Sequence, residues 1–371
     1  MEIKINTQHL LKAVSRVQSI IEKGSNMPIL STILLTADDR GLRIAATDLE
    51  LAFEQELEAN ILEKGSITVS GRKLFEILKE SHKEEFHIRE KENHWVYLSD
   101  GAARFNLACM PADEYPTVPE PEEVSFVKLD GEALNEMINK TIYCVTLEEA
   151  GFKLSGIFVE KRDQEQGPVL RMVATDGHRL SLIDNTVPGL GSLDLGQGVM
   201  LPKKGMTELN KMAAEAETVE LGFKEKNCVA KREGMILVIR LLEARFPDYS
   251  EVIPREEKIQ VKVERHALLD GMKKMLILSN ERSRAVKIVL ENNEMELIST
   301  NPDLGNADEK IPVQYGGEQL EAGFNPRYFV DTLQSMESDE VILAFVDSTK
   351  PCVIRGEADE GFLGLIMPMR L

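Results

Sequence analysis

The chain has 371 residues, 43% of them apolar, and a formal charge of −19 from 63 acidic and 44 basic residues. At about 150 residues per domain, that length fits two or three domains with a sizeable core. The acidic excess excludes a protein coated in basic patches, but not one that gathers its positive charge on a single surface.

In chain order, the first predicted element is a helix in NTQHLLKAVSRVQSII, where Leu10, Val14, Val17 and Ile21 fall on one face. A strand-like segment, LRIAATDLEL, then carries Thr47-Asp48 at a polar turn, and a second helix follows in GRKLFEILKES. The stretch PTVPEPEEV, 116–124, is rich in proline and acid and reads as a boundary. The same order then recurs. DGEALNEMINKTI reads as a helix, LRMVATDGHRL carries Thr175-Asp176, and PKKGMTELNKMA reads as another helix. After a second boundary at VIPREEK, 252–258, come the helix ERHALLDGMKKMLIL, the segment MELISTNPDL with Thr300-Asn301, and the helix FNPRYFVDTLQSM. The threonines stand 128 and 125 residues apart, so the chain is a threefold repeat. The expected fold class is α+β, with three similar domains at 1–121, 122–254 and 255–371, each placing two helices on antiparallel sheets. The loop VPGLGSLDLGQGV, 187–199, lacks a dinucleotide-binding pattern and reads as a flexible connection.

VATDGHRLSL raises the question of catalysis, because Asp176 and His178 could form an acid–base pair. A catalytic pair would not be expected to recur in three domains, and Thr47-Asp48 has no histidine beside it, while Asn301 has lost the carboxylate. Thr175 and Asp176 therefore read as structural. No nucleophile motif or metal-spaced histidine pair accompanies them, so no enzyme, metal or cofactor is expected. Cys109, Cys144, Cys228 and Cys352 are far apart and read as reduced thiols of a cytoplasmic protein. No apolar run approaches the ~20 residues of a membrane span. MEIKINTQHLL lacks the basic and apolar regions of a secretory signal.

Charge is unevenly distributed. The repeated helical segments 6–23, 71–79, 130–140, 202–212, 264–278 and 325–336 sum to +5, which leaves −24 for the rest of a −19 chain. The acidic segment 130–140 departs from the trend. Positive helices inside an acidic shell fit a surface that faces a polyanion. A sequence-specific DNA-binding protein would instead want a recognition helix and a basic domain.

The words MPILS (27–31), ATDLE (46–50), VATDGHRLSL (173–182), RFPDYSEVIP (245–254), GFNPRYF (323–329) and MPMRL (367–371) occur in order at three-domain spacing. With them the chain resembles the bacterial DNA sliding clamps, the beta subunits of DNA polymerase III, from end to end. The resemblance implies a head-to-tail homodimeric ring around double-stranded DNA. It also implies a groove that docks peptides of the polymerase III catalytic subunit, the clamp loader and other replication and repair proteins. The groove it implies comprises Leu154, Thr175, Gly177, His178, Arg179, Leu180, Pro247, Val252, Thr349, Met367, Pro368, Met369, Arg370 and Leu371, with the turn presenting Leu180 and the Thr175 methyl to the partner. The expected DNA-facing set is Lys23, Arg72, Lys73, Lys203 and Lys204. The joint implied between protomers sets Phe105 and Leu107 against Ile277 and Leu278. The chain departs from the family at Ser283, where an aromatic is implied beside the groove. It departs also at Gly24 and Lys153, where arginine or tyrosine is implied against DNA.

Overall fold

The structure, a computed structural model, describes residues 1–21, 27–117, 123–146, 155–165, 167–279 and 285–370. Each third repeats one order of elements. The first has β1 (Glu2–Asn6), α1 (Thr7–Val17), β2 (Thr32–Asp38), β3 (Gly41–Thr47), β4 (Leu51–Leu57), β5 (Asn60–Glu63), β6 (Gly65–Ser70), α2 (Gly71–Glu80), β7 (Glu85–Lys91), β8 (Trp95–Ser99) and β9 (Arg104–Ala108). The second has β10 (Phe126–Asp130), α3 (Gly131–Ile142), β11 (Gly156–Gln164), β12 (Gly167–Thr175), β13 (Arg179–Asn185), β14 (Val199–Pro202), α4 (Lys203–Ala214), β15 (Thr218–Lys224), β16 (Asn227–Arg232) and β17 (Met235–Arg240). The third has β18 (Ile259–Glu264), α5 (Arg265–Leu278), β19 (Val286–Glu291), β20 (Glu294–Asn301), β21 (Gly305–Pro312), β22 (Leu320–Phe324), α6 (Pro326–Gln334), β23 (Glu340–Phe345), β24 (Cys352–Gly356) and β25 (Phe362–Ile366).

Local chemistry fixes where these helices begin. Five follow a strand or bend whose last residue caps the helix through its side chain: Asn6, Ser70, Asp130, Glu264 and Asn325 accept from backbone N–H groups two or three residues ahead. The fourth helix follows Pro202, which has no such side chain. The apolar stripes then pair the helices: α1 packs on α2, α3 on α4 and α5 on α6. Across α3 and α4 an amide triangle fixes the pairing. Asn135 donates to Asn210 (2.8 Å), Asn210 to Asn139 (2.7 Å) and Asn139 to Asn135 (2.9 Å).

The paired strands are antiparallel, in four sheets: β5-β1-β7-β8-β9; β10-β15-β16-β17-β4-β3-β2-β6; β14-β11-β12-β13-β25-β24-β23-β18; and β21-β20-β19-β22. Packing groups residues 1–128, 192–194 and 216–241 into one compact body, and 129–191, 195–215 and 242–371 into another. The outer strands of the middle third thus belong to the first body and its helices to the second. The reason lies in two strand pairings that join successive thirds. β17 continues onto β4 with Ile239 opposite Leu51, and β25 onto β13 with Ile366 opposite Arg179.

Two expectations need correction. The helix expected across 6–23 ends at Val17, because the Gln18 side chain turns back to donate to the carbonyls of Val14 (3.3 Å) and Gly71 (3.0 Å). The 187–199 connection is pinned rather than loose: Leu190, Leu193 and Leu195 are buried, and a 3₁₀ turn spans Leu190–Ser192.

Candidate peptide groove and DNA-facing surface

The turn after β12 is built by its own side chains. Thr175 Oγ1 donates to the Arg179 carbonyl (2.6 Å) and accepts from Gly177 N–H (3.1 Å). Asp176 Oδ1 accepts from the N–H groups of His178 and Arg179, both at 3.0 Å, and Oδ2 takes Arg179 Nε at 2.9 Å. Gly177 sits at φ +83°, where glycine is free of Cβ strain. With Asp176 occupied by backbone and guanidinium, and the His178 ring stacked at 6.4 Å on Tyr328, the suspected acid–base pair is absent here.

Arg179 turns inward. Besides Asp176, it donates to Asp331 Oδ2 and to the Tyr143 carbonyl, both at 2.8 Å, and its guanidinium lies over the rings of Tyr143 and Tyr328. Burial alone would lower its pKa, but the surrounding acceptors and negative charge drive it further up. Arg179 therefore ties the turn to α3 and α6, and offers little to a visitor.

Leu180 is only 3% exposed and Thr175 is buried, so the expectation that the turn presents both is corrected. They are the floor. Leu180 packs in a cluster with Val173, Phe246, Tyr249, Val353 and Leu365, and Met367 lies partly buried against it. Of the residues expected in the groove, Gly177, His178, Pro247, Val252, Thr349 and Arg370 are exposed, and Met367, Pro368 and Met369 are half-buried. Two main-chain bonds hold the tail there: Met367 N–H donates to the His178 carbonyl (2.9 Å) and Met369 N–H to Gly323 (2.8 Å). The Pro247–Val252 segment is fixed by Tyr249. Its hydroxyl donates to Glu160 and accepts from Arg171 (3.2 Å) and Arg162 (3.3 Å). Sequence reasoning missed Tyr143, Asp331, Tyr328 and Tyr249. The aromatic–acid content of GFNPRYF and PDY was visible, but the partners lie tens to hundreds of residues away. Leu154, Leu371 and Ser283 fall outside the described residues.

The basic set divides. Arg72 and Lys73 are exposed at the start of α2, and both hold Glu76, at 2.9 and 2.8 Å. The Lys73 hydrogen bond first, then that of Arg72, keeps the Glu76 carboxyl below its ordinary pKa. Lys204 is exposed. Lys203 is half-buried: its Nζ donates to the Val145 carbonyl (2.7 Å), and burial lowers its pKa. Lys23, Gly24 and Lys153 fall outside the described residues. In the first body, Phe105 on β9 is 36% exposed beside half-buried Leu107. In the second, Ile277 at the end of α5 is 75% exposed and Leu278 is half-buried. The described residues contain no helix long and apolar enough to cross a membrane.

Comparison with known proteins agrees with this architecture. Family profiles for the N-terminal, central and C-terminal domains of the DNA polymerase III beta subunit match residues 1–119, 128–248 and 250–370. The beta sliding clamps of Haemophilus influenzae and Caulobacter vibrioides are 31% and 30% identical over 374 residues, covering all of this chain and all of theirs. Among solved structures, a sliding clamp from Bartonella birtlesii bound to griselimycin superposes with a TM-score of 0.94 at 29% identity, and one from Caulobacter crescentus with 0.93 at 30%. Both alignments cover the whole of each chain. The chain belongs to the DNA polymerase III beta subunit family, the sliding clamps.

Proposed function

We propose that two copies of this chain close head to tail around duplex DNA, sliding without chemistry. In this reading, the ring tethers the replicative polymerase, the clamp loader and other replication and repair proteins through the Gly177 groove. The observation that carries it is a repeated joint. Twice within the chain, the strand after the repeated polar turn pairs with the last strand of the next third, as β4 with β17 and β13 with β25. The third such strand, β21, stands at the edge of its sheet, and the last strand of the first third, β9, stands at the edge of another. Applied once more, the same rule pairs β21 of one protomer with β9 of its partner. Two copies then satisfy each other and leave neither edge open. Domain limits of 1–121, 122–254 and 255–371 follow the same repeat.

Sliding requires weak contact with phosphate. Arg72, Lys73 and Lys204, set in a −19 chain, draw DNA in without the steep affinity that many neutralised phosphates would give. The site of action is the cytoplasm, where bacterial chromosomes are copied. The test is retention on nicked circular DNA after loading. A ring stays bound in high salt and is lost when the circle is linearised. Salt-sensitive release from the intact circle, unchanged by linearisation, would refute the encircling mode.

A further inference from the structure

A second groove lies in the first compact body, with a volume of about 730 Å³, lined by the turn Thr47–Ala52, the 225–227 loop, Val238 and Arg240. That volume is within the range of about 300–1,000 Å³ typical of ligand sites. Bond for bond, its main turn copies the one at Gly177. Thr47 Oγ1 donates to the Leu51 carbonyl (2.7 Å) and accepts from Leu49 N–H (3.0 Å), while Asp48 Oδ1 accepts from the N–H groups of Glu50 (3.0 Å) and Leu51 (2.6 Å). The neighbouring strand is matched as well. Arg240 N–H donates to the Glu50 carbonyl (2.8 Å), as Met367 N–H does to His178. Leu49 thus stands where the other turn has Gly177, and Arg240 where it has Met367.

Both replacements carry information. Leu49 is held at φ +75°, a conformation a leucine enters only at a cost, and it is 51% exposed at the groove. Arg240 is exposed, and its side chain makes no ion pair or hydrogen bond to the described residues. We propose that this groove is a second peptide site, taking an extended segment in which one aliphatic side chain packs on Leu49 and Val238 and an adjacent carboxylate pairs with Arg240. The proposal rests on reading the Gly177 groove as a peptide site, because the two share one construction. Glu50 and Glu225 also line the groove, so a segment with a single carboxylate fits it better than a polyacidic one.

The test is methyl NMR on the full-length protein, titrated with the unlabelled peptide acetyl-Ser-Leu-Asp-Leu-Ser-amide. Leu49 methyls report this second groove and the Met367 methyl reports the Gly177 groove. Saturable shifts at Leu49 are expected, weakened about tenfold or more by Arg240→Glu. Leu49→Gly should also weaken binding, read at neighbouring Val238, while keeping the turn that glycine already forms at position 177. Deleting residues 367–371 should leave the Leu49 response intact. No shift at Leu49 at about 5 mM peptide, weaker than any useful affinity, or an equal response in Arg240→Glu, overturns the proposal. A response at Met367 alone overturns it while leaving the Gly177 reading in place. A response at Leu49 alone supports it and counts against that reading.

Discussion

Lys140 and Asp359 show how much one residue can hold. The Lys140 side chain is 1% exposed, on α3, and its Nζ is 2.7 Å from Asp359 Oδ1, with Glu136 and the face of Phe362 completing its surroundings. Asp359 also accepts from the N–H groups of Glu337 and Ser338. Burial by itself would raise the Asp359 pKa. The Lys140 and Ser338 bonds, with the two backbone donors, outweigh it and hold the carboxyl below its ordinary value. A depressed carboxylate contributes stability above its unfolded-state pKa, lost as pH falls through the folded one. Lys140→Met removes the partner and strands the charge, at a cost of about 3–5 kcal/mol near neutral pH. Without the ammonium, one of the bonds that oppose burial is gone and the Asp359 pKa moves up, so the deficit should shrink as pH falls toward 4.5. Urea denaturation at the two pH values measures both effects. A deficit under about 1 kcal/mol, the worth of an exposed pair, or one that does not change with pH, contradicts this account.

At the scale of elements, apolar periodicity and the repeat located the helices, though the first ends at Val17 rather than at residue 23. The segment expected at 71–79 is Gly71–Glu80, and that at 264–278 is Arg265–Leu278. The threefold order was legible because the same apolar stripe and the same polar turn return at near-equal spacing. Where a long side chain ends was not legible, since that depends on carbonyls brought close only by folding. Lys203 and Lys204 are adjacent in sequence, yet one reaches the Val145 carbonyl and the other is exposed. Arg179 was expected to line the groove, but its guanidinium lies over the rings of two tyrosines. The distinction predicts opposite phenotypes. Replacing Arg72, Lys73 and Lys204 by serine should leave stability nearly unchanged, because the exposed Glu76 pairs contribute little. The salt slope of DNA binding should fall by up to about three units, about one per lost phosphate contact. Lys203→Ser should leave that slope alone and lower stability by about 1–3 kcal/mol, the cost of an unsatisfied buried carbonyl. Direct binding to a short linear duplex across a salt series, where no topological link holds the protein, together with urea melts, separates the two. A slope change in Lys203→Ser would return that residue to the DNA face.

For the whole molecule, the decisive question is whether the repeat rule carries across protomers. β9 already pairs with β8 on one side, with Phe105 opposite Leu98 and Leu107 opposite Val96, so only its outer edge is open. β21 is likewise paired with β20 alone. Edge pairing by itself gives register. In the proposed joint the apolar contribution comes from Phe105 and Leu107 meeting Ile277 and Leu278, at about 1.5–3 kcal/mol for each side chain fully buried. A head-to-tail dimer has two such joints, and both must hold for the ring to stay closed. Ile277 suits the test because it is 75% exposed in the single chain. Ile277→Arg therefore takes nothing from the fold of one protomer, but places a charge in each joint of a dimer. The expected result is a folded monomer by light scattering, with an unaltered melting transition at protein concentrations where the parent is a dimer. It should also fail to stay on nicked circular DNA. A variant that remains dimeric would move the joint away from α5, and with it the partner assigned to Phe105 and Leu107.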